Sequence, residues 1–255
     1  MRFCPLVLLA LALGTPALAE AQSQSQPPSP SPDFLFGGPR GSIGISTGWV
    51  VGRGGSDWYN FVTDQLTINK GDFNRPTIVI EGAVTLSRRA DLLIGWDFGQ
   101  STTNSEYRRF VDNNRLPIEQ TTLLRDTNIS AGIKYALTER GRQVGRLAWV
   151  PRSFVPFVTA GAGAMYFQVS QVGDFIDYVD LSVFTDVFEA RGWSPSAYAG
   201  GGVEFRLLRR LNLTVDGRYI WAKGDLGRSW VDFDPIDLAR FRMTAGINFI
   251  FEESR

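Results

Sequence analysis

Apolar and polar residues alternate with a period of two in eight stretches of the chain, from about Phe34 to Phe251. That period is the signature of strands with two unlike faces. In "GSIGISTGWVV" (residues 41–51), Ile43, Ile45, Thr47, Trp49 and Val51 share one face, opposite Ser42, Gly44, Ser46 and Gly48. In "TIVIEGAVTLS", Ile78, Ile80, Val84 and Leu86 oppose Thr77, Glu81, Ala83 and Thr85. In "DLLIGWDFG", Leu92, Ile94, Trp96 and Phe98 oppose Gly95, Asp97 and Gly99. In "LLRDTNISAGIKYAL", Ile129, Ile133, Tyr135 and Leu137 oppose Asp126, Asn128, Ser130 and Lys134. "FVPFVTAGAGAMYFQVS" carries small residues on both faces, so its parity is open. "VEFRLLRRLNLTVDGRYIW" supplies two strands, with Glu204, Arg206, Asp216 and Arg218 set against Val203, Phe205, Val215, Tyr219 and Trp221. The last strand, "RFRMTAGINFIF", sets Phe241, Met243, Ile247, Phe249 and Phe251 against Arg242, Thr244, Gly246 and Asn248.

The connections add direction. Strands two and three meet across "RRA", and six and seven across "LRR". The fourth-to-fifth connection is intermediate. Those near residues 53–75, 101–119, 171–194 and 224–238 are long. An even number of strands with alternating short and long connections is the layout of an outer-membrane barrel. A soluble up-and-down barrel has no reason to keep that rule. The polar faces carry formal charges and glycine, and the apolar faces carry Ile, Leu, Val, Phe and Trp. An eight-stranded barrel with the apolar set outward is wrong for water and right for lipid. The expected fold is therefore an all-β, eight-stranded antiparallel up-and-down transmembrane β-barrel. The aromatics Trp49, Trp96, Phe98, Tyr135, Trp149, Phe157, Phe205, Tyr219, Trp221, Phe249 and Phe251 are expected on its lipid face, chiefly as interfacial girdles.

The flanks fit export. Arg2, the apolar run "PLVLLALALG" and "TPALA" read as a secretory signal peptide over residues 1–19, with cleavage before Glu20. Residues 20–33, "EAQSQSQPPSPSPD", are too polar and Pro-rich to build a core and read as a disordered leader. The barrel is expected over 34–255. Cleavage removes Arg2 and no acid, leaving a net charge near −1 from the 26 basic and 26 acidic side chains. That argues against a nucleic-acid partner. The one cysteine, Cys4, goes with the signal peptide.

With these features the chain resembles the small eight-stranded outer-membrane barrels of Gram-negative-type bacteria, the OmpA-like, OmpX-like and OmpW-like group, over about residues 35–251. The likeness is carried by "ISAGIKYAL", "VPFVTAGAGAMY", "YAGGGVEFRL" followed by "LNLTVDGRYI", and the terminal "RMTAGINFIF". It implies a cell outer membrane location, contact with membrane lipid and lipopolysaccharide, and a monomer. It also implies recognition of the last strand by the barrel-assembly machinery, with both termini in the periplasm and four loops outside. The peptidoglycan-binding domain that follows the barrel in OmpA proper is expected to be absent.

Candidate chemistry lies in the charges of the polar faces. By parity Glu81, Asp97, Asp126, Lys134, Glu204, Arg206, Asp216, Arg218 and Arg242 point into the barrel. An interior this narrow is just wide enough for side chains to fill. Charges there should pair. That gives a salt-bridged plug in a non-enzymatic structural or surface-interaction protein, with a narrow gated channel as the alternative and a soluble periplasmic binder as the third reading. Strands six and seven should bring Glu204, Arg206, Asp216 and Arg218 within pairing reach. Acids stand beside aromatics in "DLGRSWVDFDPIDLAR", with Asp225, Asp232, Asp234 and Asp237 near Trp230 and Phe233, and again in "GDFIDYVDLSVFTDVFEARGW". Their spacing does not match an EF-hand loop, and no metal or cofactor is expected. "SDWYNFVTDQLTI" suits a short amphipathic helix packed on the rim. "AGAGAM" and "AGGGVEF" complete no phosphate-binding fingerprint. There is no histidine. Ser-His and Asp-His catalysis and His-based metal sites are therefore excluded, and no catalytic residue is assigned.

Overall fold

The structure is a computed structural model that describes residues 35–112, 114–145, 148–231 and 233–252. The signal peptide and leader expected over 1–33 lie outside the described residues. Eight long strands make the fold: β1 (Pro39–Gly52), β2 (Arg75–Thr85), β3 (Ala90–Val111), β4 (Pro117–Ala136), β5 (Phe154–Ile176), β6 (Val183–Leu208), β7 (Leu211–Gly224) and β8 (Arg240–Glu252). Each pairs antiparallel with the next along the chain. β8 then pairs with β1, from Arg240↔Gly52 to Glu252↔Pro39, and closes the ring. Closure leaves no sheet edge through the wall, which is what a strand needs to cross lipid. Even the shortest strand, β2 with 11 residues, is long enough to span a hydrocarbon core.

The exterior is apolar. Ile43, Ile45, Ile78, Ile80, Val84, Leu92, Ile94, Ile129, Ile133, Met243 and Ile247 are all exposed, while their chain neighbours on the other face are buried or half-buried. Trp49, Trp96, Tyr135, Phe205, Trp221, Phe249 and Phe251 are exposed on the same wall, and Phe98 and Tyr219 are half-buried there. They form two belts. Toward the long loops, Phe98, Thr127, Tyr166 and Trp193 share one row of pairings. Toward the short turns, Phe154 faces Phe205 with ring centroids 5.3 Å apart, and Phe249 meets Phe251 at 5.5 Å. A continuous apolar wall between aromatic belts is a lipid-facing surface.

Two parts of the expected pattern change. The stretches near 101–119 and 171–194 are mainly strand rather than loop, because β3 to β6 continue beyond the aromatic belt as two tall hairpins. Their outward side chains there include Thr102, Asn104, Glu106, Gln168 and Ser170 with only scattered apolar residues such as Val172 and Val187, so apolar alternation no longer marks them. β5 also has a definite parity. Its odd residues point inward, which buries Phe157, expected in a girdle, inside the lumen. Trp149, also expected in a girdle, sits instead in a small sheet at the short-turn end. There Leu35–Phe36 pairs with Ala148–Pro151, which pairs with Gly141–Val144. Leu35 is buried in the mouth of the barrel by this sheet.

Candidate functional site

The lumen is filled by three ionic clusters stacked along the barrel. Nearest the short turns, Lys134 Nζ lies 2.7 Å from Glu204 and 3.4 Å from Asp91, and Arg140 reaches Asp91 at 2.6 Å. Further in, Arg218 bridges Glu81 at 2.6 Å and Asp216 at 2.5 Å, and the Thr244 hydroxyl donates to Asp216. Above these, Arg240 pairs with both Asp97 and Asp126, Arg242 reaches Asp97 at 2.8 Å, and Arg75 pairs with Asp126. Asn128 donates to Asp97 at 3.0 Å and accepts from Ser196 at 2.8 Å. Six acids face six bases, so the formal charge of the paired groups cancels. Charges held out of water persist only when matched in this way.

Above the ionic clusters the filling becomes apolar. The helix α1 (Asp57–Gln65) turns Trp58, Tyr59 and Val62 inward onto Leu124, Phe167 and Val169 of the barrel and onto Trp230 and Ile236 of the last long loop. Trp58 packs edge-on to Tyr59 at 5.0 Å and to Trp230 at 5.9 Å. Burial pushes the Tyr59 phenol up to about 12. This cap closes the long-loop end of the lumen with an interior like that of a soluble domain.

Of the nine charges assigned to the lumen, Glu81, Asp97, Asp126, Lys134, Glu204, Asp216, Arg218 and Arg242 stand in these clusters. Arg206 is half-buried on the inward face near the mouth. Pairing differs from expectation at one point: Glu204 reaches across the lumen to Lys134, while Asp216 takes Arg218 from its own strand. The sequence reading missed Arg75, Asp91, Arg140 and Arg240. Arg75 is two residues before Thr77, Arg240 two before Arg242, and Asp91 six before Asp97. Extending the same parity to the strand ends finds all three. Arg140 lies in a connection and carries no such signal.

The glycine runs are close approaches within strands. A Cβ on Gly132 would stand 2.3 Å from the Tyr198 hydroxyl, and one on Gly200 would stand 2.9 Å from Arg218 Cγ. The large side chains fill the space the glycines leave. The loop acids hold turns. Asp225 accepts from Gly227 N, Asp177 from Val179 N, and Asp237 from Gly55 N. Asp232 lies outside the described residues. Among the described residues no three carboxylate, thiol or imidazole groups gather as a metal site would need.

No family model and no curated protein matches the chain. Solved structures do. Ail, the attachment invasion locus protein of Yersinia pestis, aligns over 82% of this chain and 99% of its own, at 12% identity and a TM-score of 0.42. Neisserial surface protein A aligns over 83% and 97%, at 10% identity and 0.43. The outer membrane protein OprG from Pseudomonas aeruginosa aligns over 86% and 100%, at 8% identity and 0.44. Likenesses this distant carry no statement about activity. The closed ring of eight neighbour-paired strands, its apolar wall and its two aromatic belts are this chain's own features, and they give it the architecture of the small outer-membrane β-barrels.

Proposed function

We propose that this chain is an outer-membrane barrel of a Gram-negative-type bacterium that works as a non-conducting structural and surface-interaction protein rather than as an enzyme or an open pore. The observation that carries this reading is the double closure of the lumen, by neutralised ion pairs below and by an apolar cap above. The short turns and the termini face the periplasm, and α1, the two tall hairpins and the last long loop face outward. The apolar wall speaks against a soluble periplasmic binder, because so large an exposed apolar surface needs a covering. Residues 1–19 supply export and are cleaved. The exposed Phe249 and Phe251 of β8 present the alternating pattern the assembly machinery engages. The outer rim carries both acids (Glu106, Glu119, Asp186) and exposed arginines (Arg108, Arg109, Arg191), and the arginines offer lipopolysaccharide phosphates direct partners.

Planar-bilayer recording tests the closure. Purified protein is expected to give no steady current at ordinary holding potentials. Discrete, reproducible openings would replace this reading with the gated-channel one, in which the Arg218 bridge to Glu81 and Asp216 has to break. Fractionation tests the location. The protein should stay in the outer-membrane pellet through salt and urea washes, and release by salt would reject it.

A further inference from the structure

We infer that the short-turn end carries a binding site for the head group of an anionic glycerophospholipid. A cavity of about 550 Å³ opens where the β2–β3 turn meets the connection at residues 137–153. Arg89, Arg142 and Arg152 line it, and all three are exposed. Glu139 lines it too and pairs with Arg89 at 3.9 Å, which leaves cationic charge in excess. Thr138 is the fifth polar wall residue. Its buried Oγ1 has no hydrogen-bond partner among the described residues. A phosphodiester supplies what these groups lack, because its oxygens accept from guanidinium forks and from a hydroxyl at once.

The frame of the site is fixed. Arg140 donates to the Ser87 and Arg88 carbonyls of one turn while its own backbone belongs to the other connection. It is also anchored to Asp91. The arginines therefore stay at one height on the barrel. That height is where lipid ends. Leu137 both lines the cavity and, at 51% exposure, ends the lipid-facing row of Ile133 and Tyr135 on β4. A head group held in the cavity sends its acyl chain down this row. A free phosphate gains nothing from it. Arginines just beyond a membrane span favour anionic lipid for the same reason in other proteins. A cavity at the opposite rim is lined instead by Glu106, Glu119 and Asp174.

This inference rests on the reading that the short turns face the inner leaflet, and the two can fail separately. The folded protein in detergent is incubated with equal amounts of phosphatidylglycerol and phosphatidylcholine, and retained lipid is counted by native mass spectrometry. The wild type should keep phosphatidylglycerol about tenfold over phosphatidylcholine. The triple variant Arg89→Gln, Arg142→Gln, Arg152→Gln should lose the preference, and Arg53→Gln with Lys223→Gln at the far rim should keep it. If the triple variant does not fold, as judged by heat-shifted gel mobility, Arg142→Gln alone should lower the preference about threefold. Equal retention of the two lipids by the wild type, or an unchanged preference in the folded variants, overturns the site. So does displacement of the lipid by millimolar glycerophosphate, which would mark a soluble-anion site. Sidedness is read independently by labelling Arg142→Cys with an impermeant maleimide. Labelling in intact cells would reject the orientation and leave the detergent result standing.

Discussion

The two halves of the lumen are filled by opposite chemistries. The half toward the short turns is packed with ion pairs such as Lys134–Glu204 and Arg218–Glu81. The half toward the long loops is packed with Trp58, Phe167, Val169 and Trp230. The wall changes over at about the same height, from Ile94, Trp96 and Phe98 to Thr102, Asn104 and Glu106 on β3. Inward and outward parity does not change on β3 from Asp91 to Tyr107. What changes is the medium outside. Where the wall meets lipid the apolar residues go out and the polar ones in, and where it meets water the assignment reverses. The Tyr166–Trp193 contact, with centroids 5.4 Å apart, sits at the changeover.

The comparison is sharpest at Arg240, the uppermost charge of the ionic half. It is 1% exposed and holds both Asp97 and Asp126. Arg240→Met removes the shared cation and leaves two buried carboxylates short of a partner. The expected cost is about 3–5 kcal/mol to the whole barrel. Urea unfolding followed by heat-shifted gel mobility reads it, because every strand stays paired until the ring opens. Adding Asp97→Asn and Asp126→Asn to the same chain should deepen that loss, since Arg242 and Arg75 are then buried cations without a carboxylate. A triple variant as stable as the single would mean that shape, not charge, holds this layer.

Trp58→Ala makes the parallel change in the apolar half. It empties the largest fully buried side chain of the cap. A loss of about 3 kcal/mol follows from the missing burial and the cavity. The loss should stay local, because α1 belongs to a loop and closes no strand pairing. Hydrogen exchange should therefore quicken over Asp57–Gln65 while the gel shift of the barrel is unchanged. Global unfolding at lower urea would show instead that cap and wall fold as one unit.

The same contrast explains what the sequence disclosed. Ring closure, strand number and the eight paired lumen charges were legible because lipid outside and a narrow interior force strict alternation, as at Ile78 to Thr85. Met165, Phe167 and Val169 were not assigned, because small residues on both faces of "AGAGAM" hide which side is in. The tall hairpins passed for loops because their outer faces meet water. The 137–153 connection was the least legible. Its sheet is made with Leu35–Phe36, a partner far away in sequence, and nothing local marks that pairing.

Gly200 probes the ionic half by volume instead of charge. Its added Cβ would stand 2.2 Å from the Gly217 carbonyl oxygen and 2.7 Å from the Arg218 Cα. Backbone has to shift to admit it, so Gly200→Ala should cost about 2 kcal/mol. The equilibrium urea midpoint reads this. The outward Gly217→Ala, whose Cβ meets only the Phe241 ring at 3.1 Å, serves as the control and should move the midpoint less.

The smallest effect is a pH step confined to the apolar half. An exposed phenol loses its proton near pH 10, whereas burial holds Tyr59 neutral up to about 12. Below pH 10 the phenol is protonated whether the cap is open or closed, and the cap keeps its full stability. Between about pH 10 and 12 the open cap binds fewer protons than the closed one, so its stability falls as pH rises. At pH 11 the loss is about 1 kcal/mol. Hydrogen exchange over Asp57–Gln65, corrected for the intrinsic rate, should rise more than tenfold across this window, and Tyr59→Phe should remove the step. A step that persists in the variant would assign it to another group in the cap and separate the pH response from the packing of Tyr59 against Trp58.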